Sequence, residues 1–268
     1  MQNVLTIAGS DSLAGGGLQA DLKTFEELNT FGLSAITSVV SIMPTAVTVS
    51  LMKPEVLNQQ LTAIFSRVPI RIIKTGLLGD VEMIRVVHAQ LSQRSVPLVI
   101  DPVLTFKEGG EYTQQDYVRM MKRQLLPLGT VVTPNLAEAQ ALSGMFLNRA
   151  EQLPEAAQRI QHLGCPNVVI KGGSRLAGTD AIDYLRMGDQ DYWFMEPKLK
   201  TPRTDGAGCT FSAAITALLA QGHPLPVAVS RAKTFVRSAI RDSVVIDERL
   251  GSVYQGSLRR REKQHAKK

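Results

Sequence analysis

The sequence predicts an α/β protein with a mainly parallel sheet covered by helices on both faces. Short runs rich in β-branched residues alternate with amphipathic stretches over most of the 268 residues, a pattern typical of parallel strands joined by helices. Apolar residues make up 44% of the chain and charged residues 20%, which is enough for a large core. We find no internal repeat and no Pro/Ser-rich linker, so we expect a single domain over residues 1–258.

The predicted strands and helices follow one another in regular order. Strands are predicted at residues 4–8, 35–42, 70–74, 98–103, 130–133 and 168–171. Helices are predicted at residues 18–28, 54–67, 81–92, 114–125, 136–142 and 149–163, the first because its apolar residues recur every three or four positions. Residues 181–187 and 191–195 then predict a β-hairpin turning at Gly188, and helices follow at 207–221 and 225–242.

The formal charge of +6 is concentrated at the C-terminus. Residues 259–268, RRREKQHAKK, hold six basic residues and one acidic residue, so they contribute +5 of that charge. A basic terminal run is typical of a solvated, disordered tail. The aromatic platform that accompanies nucleic-acid binding is missing from this run, so we do not expect nucleic acid to be the partner.

The apolar runs and the cysteines indicate the expected cellular location of the protein. The longest apolar runs are strand-length, so we predict no membrane span. Residues 1–8, MQNVLTIA, lack the basic start and long apolar segment of a signal peptide. Two cysteines, Cys165 and Cys209, do not make a disulfide framework. We therefore expect a cytoplasmic protein.

A glycine-rich turn precedes the helix predicted at residues 207–221. Gly206, Ala207 and Gly208 lack bulky side chains, and the amides at a helix start carry partial positive charge. Such a turn can hold a phosphate, or the charge that develops on one during transfer. Cys209 at the helix start is expected to have its thiolate favoured, which suits it to accept a proton from a hydroxyl. The alternative is a turn that caps a buried helix, with Cys209 as a small core residue.

Other polar segments follow predicted strands, at the edge where open parallel sheets bind ligands. Residues 9–17, GSDSLAGGG, match neither a P-loop nor a dinucleotide fingerprint, and a surface loop is the alternative. Asn135 and Glu138 could cap a helix, or Glu138 could hold magnesium. Lys171 with the two following glycines could meet nucleotide phosphates. Asp101 ends another predicted strand. It could supply a second carboxylate to the site, or it could only initiate a turn.

Six motifs occur together in one order along the chain. They are GSDSLAGGGLQADLKTF at 9–25, KTGLLGD at 74–80, VIDPV at 99–103, TPNLAEAQALSG at 133–144, VIKGG at 169–173 and DGAGCTFSAAITA at 205–217. With them, the chain resembles the pyridoxal kinase and hydroxymethylpyrimidine kinase branch of the ribokinase-like superfamily from about residue 3 to about residue 245. The resemblance implies a three-layer α/β/α fold and magnesium-dependent transfer of the ATP γ-phosphoryl to a primary hydroxymethyl group. It also implies a homodimer, and it leaves a monovalent cation open.

The resemblance also implies a role for particular residues. The anion hole corresponds to Gly206, Ala207 and Gly208, and the catalytic base, an aspartate in much of the superfamily, corresponds to Cys209. The ATP-binding positions are Asn135, Lys171, Gly172, Gly173 and Gly208, and the magnesium-linked positions are Glu138 and Asp101. The ring-binding positions are Gly9, Asp21, Leu77 and Val103.

The choice of substrate depends on residues 41–45, which read SIMPT. Hydroxymethylpyrimidine kinases usually have Ala-Gln-Asn-Thr there, and the glutamine serves the pyrimidine. Without an amide the chain is more similar to pyridoxal kinases, so we expect phosphorylation of the 5'-hydroxymethyl group of pyridoxal, pyridoxine and pyridoxamine. The alternatives are a hydroxymethylpyrimidine (phosphate) kinase of thiamine biosynthesis and a ligand-binding homologue with weak catalysis.

Two residues depart from the family pattern. Phe106 stands where some pyridoxal kinases have a second cysteine in the lid, so that thiol chemistry is absent. Asp205 stands where a histidine usually precedes the anion hole. A carboxylate at position 205 is expected to oppose both anion binding and thiolate formation at Cys209.

Overall fold

A nine-stranded sheet forms the centre of the computed structural model, which describes residues 1–43, 45–104, 113–248 and 250–260. Its strands are β1 (Asn3–Asp11), β2 (Phe31–Met43), β3 (Ala46–Leu51), β4 (Ile72–Thr75), β5 (Leu98–Ile100), β6 (Val131–Val132), β7 (Asn167–Gly173), β8 (Asp180–Met187) and β9 (Gln190–Pro197). The order across the sheet is β3-β2-β1-β4-β5-β6-β7-β8-β9. The central strands run parallel, whereas β3, β8 and β9 pair antiparallel at the two edges.

Helices cover both faces of this sheet, as the sequence predicts. They are α1 (Gly17–Glu27), α2 (Pro54–Phe65), α3 (Val81–Leu91), α4 (Gln114–Met120), α5 (Leu136–Ser143), α6 (Leu153–Gln161), α7 (Ala207–Ala220) and α8 (Leu225–Arg241). One apolar cluster joins the sheet to α2–α6, and a second joins it to α1, α7 and α8. The expected three-layer α/β/α fold with a mainly parallel sheet is therefore confirmed.

Three local features differ from the sequence-based expectation. Strand β3 was not predicted; it forms a hairpin with β2, and its side chains are mostly exposed. The helix predicted at 114–125 is α4 followed by a π-helical turn at Met121–Leu125. A small antiparallel pair, β10 (Val244–Val245) with β11 (Gly251–Ser252), lies outside the main sheet and was also not predicted.

The parallel strands bring distant parts of the chain to one edge of the sheet. The carboxyl ends of β1, β4, β5, β6 and β7, and the segments that follow them, carry the polar and glycine-rich residues singled out in the sequence, and these ends lie side by side. Within the described residues, no helix is long and apolar enough to cross a membrane. The fold thus places the candidate site at the carboxyl edge of the sheet.

Candidate active site

Helix α7 begins at a turn that requires glycine. Gly206 has a φ of +79°, and a Cβ at this position would lie 1.7 Å from the carbonyl oxygen of Gly15. Among the described residues no side chain caps the helix, so no side-chain oxygen occupies its first-turn amides. Gly206 through Cys209 are all half-buried. The turn is therefore accessible to a ligand, unlike the sealed core turn of the alternative interpretation.

The N-terminal glycine-rich loop packs directly against this turn. The Asp11 carboxylate accepts hydrogen bonds from the amides of Leu13 at 2.9 Å and Gly16 at 2.8 Å, which folds the loop back on itself. A Cβ on Gly16 would lie 3.8 Å from the sulfur of Cys209, and the backbone of Gly17 lowers the pKa of that thiol. Two segments almost two hundred positions apart in sequence thus meet at one sulfur atom.

The protonation state of Cys209 differs from the sequence-based expectation. Burial raises the pKa of the Cys209 thiol to about 11, and the Asp101 and Asp21 carboxylates add to the increase. The Lys74 ammonium acts in the opposite direction and lowers this pKa. The prediction that the helix start favours the thiolate is therefore wrong, because desolvation outweighs the nearby positive charge.

Asp21 and Lys74 form an ion pair behind Cys209, with both side chains fully buried. The Lys74 ammonium lies 2.9 Å from Asp21 Oδ2, and the Thr6 hydroxyl donates to the same oxygen at 2.6 Å. Burial would lower the pKa of Lys74, but the charges of Asp21, Cys209 and Asp101 together raise it. Lys74 is therefore charged. Asp21, predicted as part of a ring pocket, has no exposed side-chain surface, and its charge raises the pKa of Cys209. We call these residues the Cys209–Lys74–Asp21 cluster.

A cleft of about 320 Å³ lies between β7, β8, α7 and α8; we call it the β7–α8 cleft. All five residues predicted to bind ATP line it, namely Asn135, Lys171, Gly172, Gly173 and Gly208. A Cβ on Gly208 would lie 3.5 Å from the Lys171 ammonium, so the bare glycine leaves space beside that charge. Bare backbone next to an ammonium group suits a bound phosphate chain.

Strand β7 bends where it enters this cleft. Its register with β8 shifts between Lys171 and Gly173, and Gly173 has a φ of +52°. A Cβ on Gly172 would lie 2.4 Å from the carbonyl oxygen of Ile182, so only glycine fits there. The Gly173 amide donates to Asp183 Oδ1 at 3.2 Å, which fixes the bend.

Sequence reasoning missed the charged residues on the far wall of the cleft. Lys233 of α8 lies 2.7 Å from Asp183 Oδ2 on β8, and both residues are buried. Arg175, Phe211 and Arg237 also line the cleft. No sequence signal pointed to the ion pair, because its two residues are 50 positions apart and each fits an ordinary element pattern.

The carboxylates predicted to be linked to magnesium lie on both sides of Lys171. Its ammonium is 2.7 Å from Asp101 Oδ1, and the Ser212 hydroxyl donates to Asp101 Oδ2 at 2.9 Å. Glu138 and Asn135 form a reciprocal capping box at the start of α5, with hydrogen bonds of 2.7 and 3.0 Å. Burial raises the pKa of Glu138, the Lys171 charge lowers it, and Asp101 raises it again.

The capping role of Glu138 is therefore present, and it leaves the metal role open. Among the described residues, no three His, Cys, Asp or Glu side chains come close enough to form a metal site by themselves. Magnesium usually takes only one or two carboxylates and completes its shell with phosphate oxygens and water. A carboxylate whose pKa is raised by a neighbouring carboxylate and lowered by one lysine fits an ion of that kind.

The residues predicted to bind a ring are only partly brought together. A Cβ on Gly9 would lie 3.4 Å from the Leu77 side chain and 2.6 Å from the Ser38 hydroxyl, so Gly9 and Leu77 are neighbours. Val103 is half-buried two positions after Asp101. Phe106 lies outside the described residues, as do the tail residues 261–268. Gly9, Leu77 and Val103 remain predictions for substrate contact.

Asp205 directly precedes the α7 turn in sequence, but the structure does not bury its carboxylate in that turn. Its side chain is exposed, while its amide donates to the Gly251 carbonyl and its carbonyl accepts from the Val253 amide. Desolvation raises the pKa of the Asp205 carboxyl, and the Asp11 carboxylate raises it further. The carboxylates that raise the pKa of Cys209 are Asp101 and Asp21, which the sequence does not place next to the cysteine.

Comparison with known proteins identifies the family. The sequence profile of the phosphomethylpyrimidine kinase family matches residues 11–254. The chain belongs to this family. It is therefore a kinase, and the predicted ribokinase-like branch is confirmed.

Individual relatives of this kinase carry different substrate names. It is 39% identical over 264 residues to the pyridoxine kinase of Bacillus subtilis, with 97% of each chain covered. It is 40% identical over 245 residues to the hydroxymethylpyrimidine/phosphomethylpyrimidine kinase of Haemophilus influenzae, covering 90% of this chain and 91% of that protein. A thiamine biosynthesis bifunctional protein of Geobacter sulfurreducens is 41% identical over 241 residues, but the kinase covers 89% of its own length there and only 49% of that protein.

Solved structures of two relatives differ in how well they superpose on this chain. An ADP complex of Bacillus subtilis pyridoxal kinase superposes with a TM-score of 0.92 at 39% identity, covering 97% of this chain and 99% of that one. The phosphomethylpyrimidine kinase of Clostridium difficile gives a TM-score of 0.77 at 32% identity, covering 90% of this chain and 100% of that one. Over this length the fold is closer to that of the pyridoxal kinase.

Proposed function

We propose that this chain transfers the γ-phosphoryl of ATP to the 5'-hydroxymethyl group of pyridoxal, pyridoxine and pyridoxamine. The observation that carries the proposal is the meeting of three parts at one edge of the sheet. These are the β7–α8 cleft, the uncapped α7 turn and the Cys209 sulfur. A cleft for a nucleotide, a turn for the moving charge and a side chain that can take a proton are what phosphoryl transfer to a hydroxyl requires.

Two observations favour the pyridine ring over the pyrimidine. The chain resembles a pyridoxal kinase structure over nearly the whole of both proteins, with a higher TM-score than the phosphomethylpyrimidine kinase structure. Residues 41–43, at the end of β2, are Ser, Ile and Met, so this position offers no side-chain amide to a pyrimidine. The hydroxymethylpyrimidine kinase relatives at similar identity make that activity the second candidate.

The nucleotide phosphates would lie along the β7–α8 cleft towards the α7 turn. Lys171 and the bare backbone of Gly172, Gly173 and Gly208 would hold the phosphate chain there. A bound magnesium ion would supply charge neutralisation of the phosphates, with Glu138 and Asp101 as the residues that hold it. Catalysis then consists mostly of positioning and electrostatic stabilisation by this chain's own groups.

Cys209 would accept the proton that the hydroxymethyl group loses as the new O–P bond forms. Only the thiolate can accept a proton, and burial favours the neutral thiol. Lys74 is the neighbour that opposes burial, because its ammonium lowers the pKa of Cys209. We therefore propose that Lys74 stabilises the Cys209 thiolate, while Asp21 keeps the lysine charged and in place.

The test compares substrates on one preparation of the protein. Steady-state phosphorylation of pyridoxal, pyridoxine and 4-amino-5-hydroxymethyl-2-methylpyrimidine should be measured with ATP and magnesium, with product identified by mass spectrometry. We expect higher kcat/KM for the two pyridines than for the pyrimidine. A preference for the pyrimidine overturns the substrate while leaving the reaction type intact. Ligand binding without any phosphorylated product supports the weakly catalytic homologue.

A further inference from the structure

The C-terminal segment 251–257 runs beside the α7 turn and is buried against it. The relative exposure of Ser252 is 7%, of Val253 2%, of Gln255 2% and of Ser257 0%. The segment is anchored to α8, because the Tyr254 amide donates to the Ala239 carbonyl at 2.9 Å. Polar side chains are usually exposed to solvent. Their burial in this segment, which follows the last long helix, therefore requires an explanation.

Backbone hydrogen bonds join this segment to the N-terminal side of the turn. The Val253 amide donates to the Asp205 carbonyl at 3.0 Å, and the Asp205 amide donates to the Gly251 carbonyl at 3.3 Å. The Ser252 hydroxyl lies 3.3 Å from the Asp205 carbonyl and 3.4 Å from the Gly15 carbonyl. The segment therefore contacts both glycine-rich segments at the point where Gly206 and Gly15 come closest.

A side chain joins it to the other side of the turn. The Gln255 amide nitrogen donates to the Thr210 hydroxyl at 3.1 Å, and both side chains are buried. Thr210 is the residue whose amide closes the first hydrogen bond of α7, to the Gly206 carbonyl at 2.8 Å. Because Asp205 and Thr210 are both held, the amides between them are fixed on either side.

We propose that residues 251–255 form a C-terminal clamp that holds the amides of the α7 turn in position for the transferring phosphoryl, and that Gln255 is a positioning residue acting through Thr210. This inference rests on the proposed function, since it assigns the clamp to the site where that reaction takes place. A preorganised donor is effective because it needs no rearrangement when charge develops. Nucleotide binding uses β7 and the α8 wall of the cleft in addition to Gly208 of the turn, so loss of the clamp should act on the transfer step more than on nucleotide binding.

The test removes the Gln255–Thr210 hydrogen bond from either end. Gln255→Leu and Thr210→Val are close in shape to the residues they replace, and Ser257→Ala is the control, because among the described residues its buried hydroxyl has no partner. We expect each of the first two changes to lower kcat about tenfold, the value of one hydrogen bond. The Ser257→Ala variant should retain full activity. The double variant should lose no more than either single variant, because both changes remove one contact.

The rate must be expressed per active site to separate positioning from folding. Each kcat is divided by the number of ADP-binding sites titrated in the same sample, and KM for ATP is measured alongside it. The clamp predicts a lower kcat per site with KM for ATP changed by less than about twofold. An unchanged kcat per site in Gln255→Leu overturns the proposal. So does a loss of total activity that is fully explained by a smaller number of ADP-binding sites.

A second readout does not depend on the substrate. Amide hydrogen exchange should be faster in Gln255→Leu and Thr210→Val for the peptide covering residues 204–211, and unchanged for residues 167–173 of β7. Equal exchange in the first peptide of all variants contradicts the clamp. If the wild-type protein forms no phosphorylated product, the proposed function fails, while the exchange result still decides whether the clamp holds the turn.

Discussion

The β7–α8 cleft and the Cys209–Lys74–Asp21 cluster lie on opposite sides of the α7 turn and are constructed differently. The cleft is open and is lined by bare backbone and by charged side chains, including Lys171 and Lys233. The cluster contains the Asp21–Lys74 ion pair, which lies between α1 and β4 and has no exposed surface. The charges of this pair shift the pKa of Cys209. One side presents groups to a ligand, and the other sets the protonation of a single sulfur.

The difference shows that the groups that bind phosphates and the groups that tune a pKa occupy different parts of the fold. Groups that bind phosphates must reach solvent before the ligand arrives, so they occur at strand ends and helix starts. A group that tunes a pKa acts best where the dielectric is low, so it is buried and depends on its counter-charge. The two sides should therefore respond differently to substitution.

The largest effect is expected from removing the buried cation. Lys74→Met leaves the Asp21 carboxylate without its ion-pair partner in the interior, and breaking a buried pair in this way costs about 3–5 kcal/mol of unfolding free energy. Urea denaturation measures the loss. The control is Asp21→Asn combined with Lys74→Met, which should recover most of the stability because no lone charge remains. A Lys74→Met variant as stable as the wild type would remove the distinction between the two sides.

A smaller effect is expected at the turn that the two sides share. Gly206→Ala introduces a Cβ 1.7 Å from the Gly15 carbonyl at a φ of +79°, so the turn must move and kcat should fall by about a hundred- to a thousandfold. Gly208→Ala is the matched control. Among the described residues, the Lys171 ammonium, at 3.5 Å, is the contact that this Cβ makes within 4 Å, so we expect mainly a higher KM for ATP. Equal kcat losses in both variants would contradict separate roles for the turn and the cleft.

The pH dependence tests the cluster directly. Because the pKa of Cys209 is raised to about 11, the thiolate fraction, and with it kcat/KM, should rise about tenfold per pH unit between about pH 7 and 9. A raised thiol pKa also means that its contribution to stability is present below the unfolded-state pKa and is lost as pH rises through 9 to 11. Thiolate absorbance in a Cys165→Ala background measures the titration. A flat rate profile with a Cys209 pKa near 11 would contradict the proton-acceptor role.

The smallest effect is expected from the ion pair in the cleft. Lys233→Met leaves Asp183 beside a solvent-accessible cavity, where water and the Gly173 amide can still solvate the carboxylate. We expect a loss of about 1–3 kcal/mol in the same urea experiment. A loss as large as that of Lys74→Met would show that the cleft is as dry as the cluster, and the comparison would then fail.

Several residues that line the cleft could be singled out in the sequence because they stand at the ends of elements. Asn135, Lys171 and Gly208 follow or precede segments whose periodicity is clear, and the parallel sheet then brings such ends to one edge. Their placement around one cavity follows from topology alone. Strand β3 was missed because its exposed side chains lack the apolar pattern of the buried strands.

The cluster side could not be predicted in the same way. The partner of Asp21 is Lys74, which is 53 positions away in sequence, and no local pattern predicts such a pair. The sequence suggested a thiolate at Cys209 from the helix start alone. The interior adds desolvation and two carboxylates, which reverse the direction of the pKa shift. The packing of residues 251–257 against the α7 turn was likewise invisible in sequence.

The most direct measurement is a single-turnover experiment with ATP, magnesium and pyridoxal, using the wild type, Cys209→Ala and Cys165→Ala. Cys165 is buried in the core away from the cleft, so it controls for the loss of a thiol. The account predicts phosphorylated product at similar rates in the wild type and Cys165→Ala, a rate at least about a hundredfold lower in Cys209→Ala, and the same ADP affinity in all three. Product formation by Cys209→Ala at the rate of the Cys165→Ala control would contradict it.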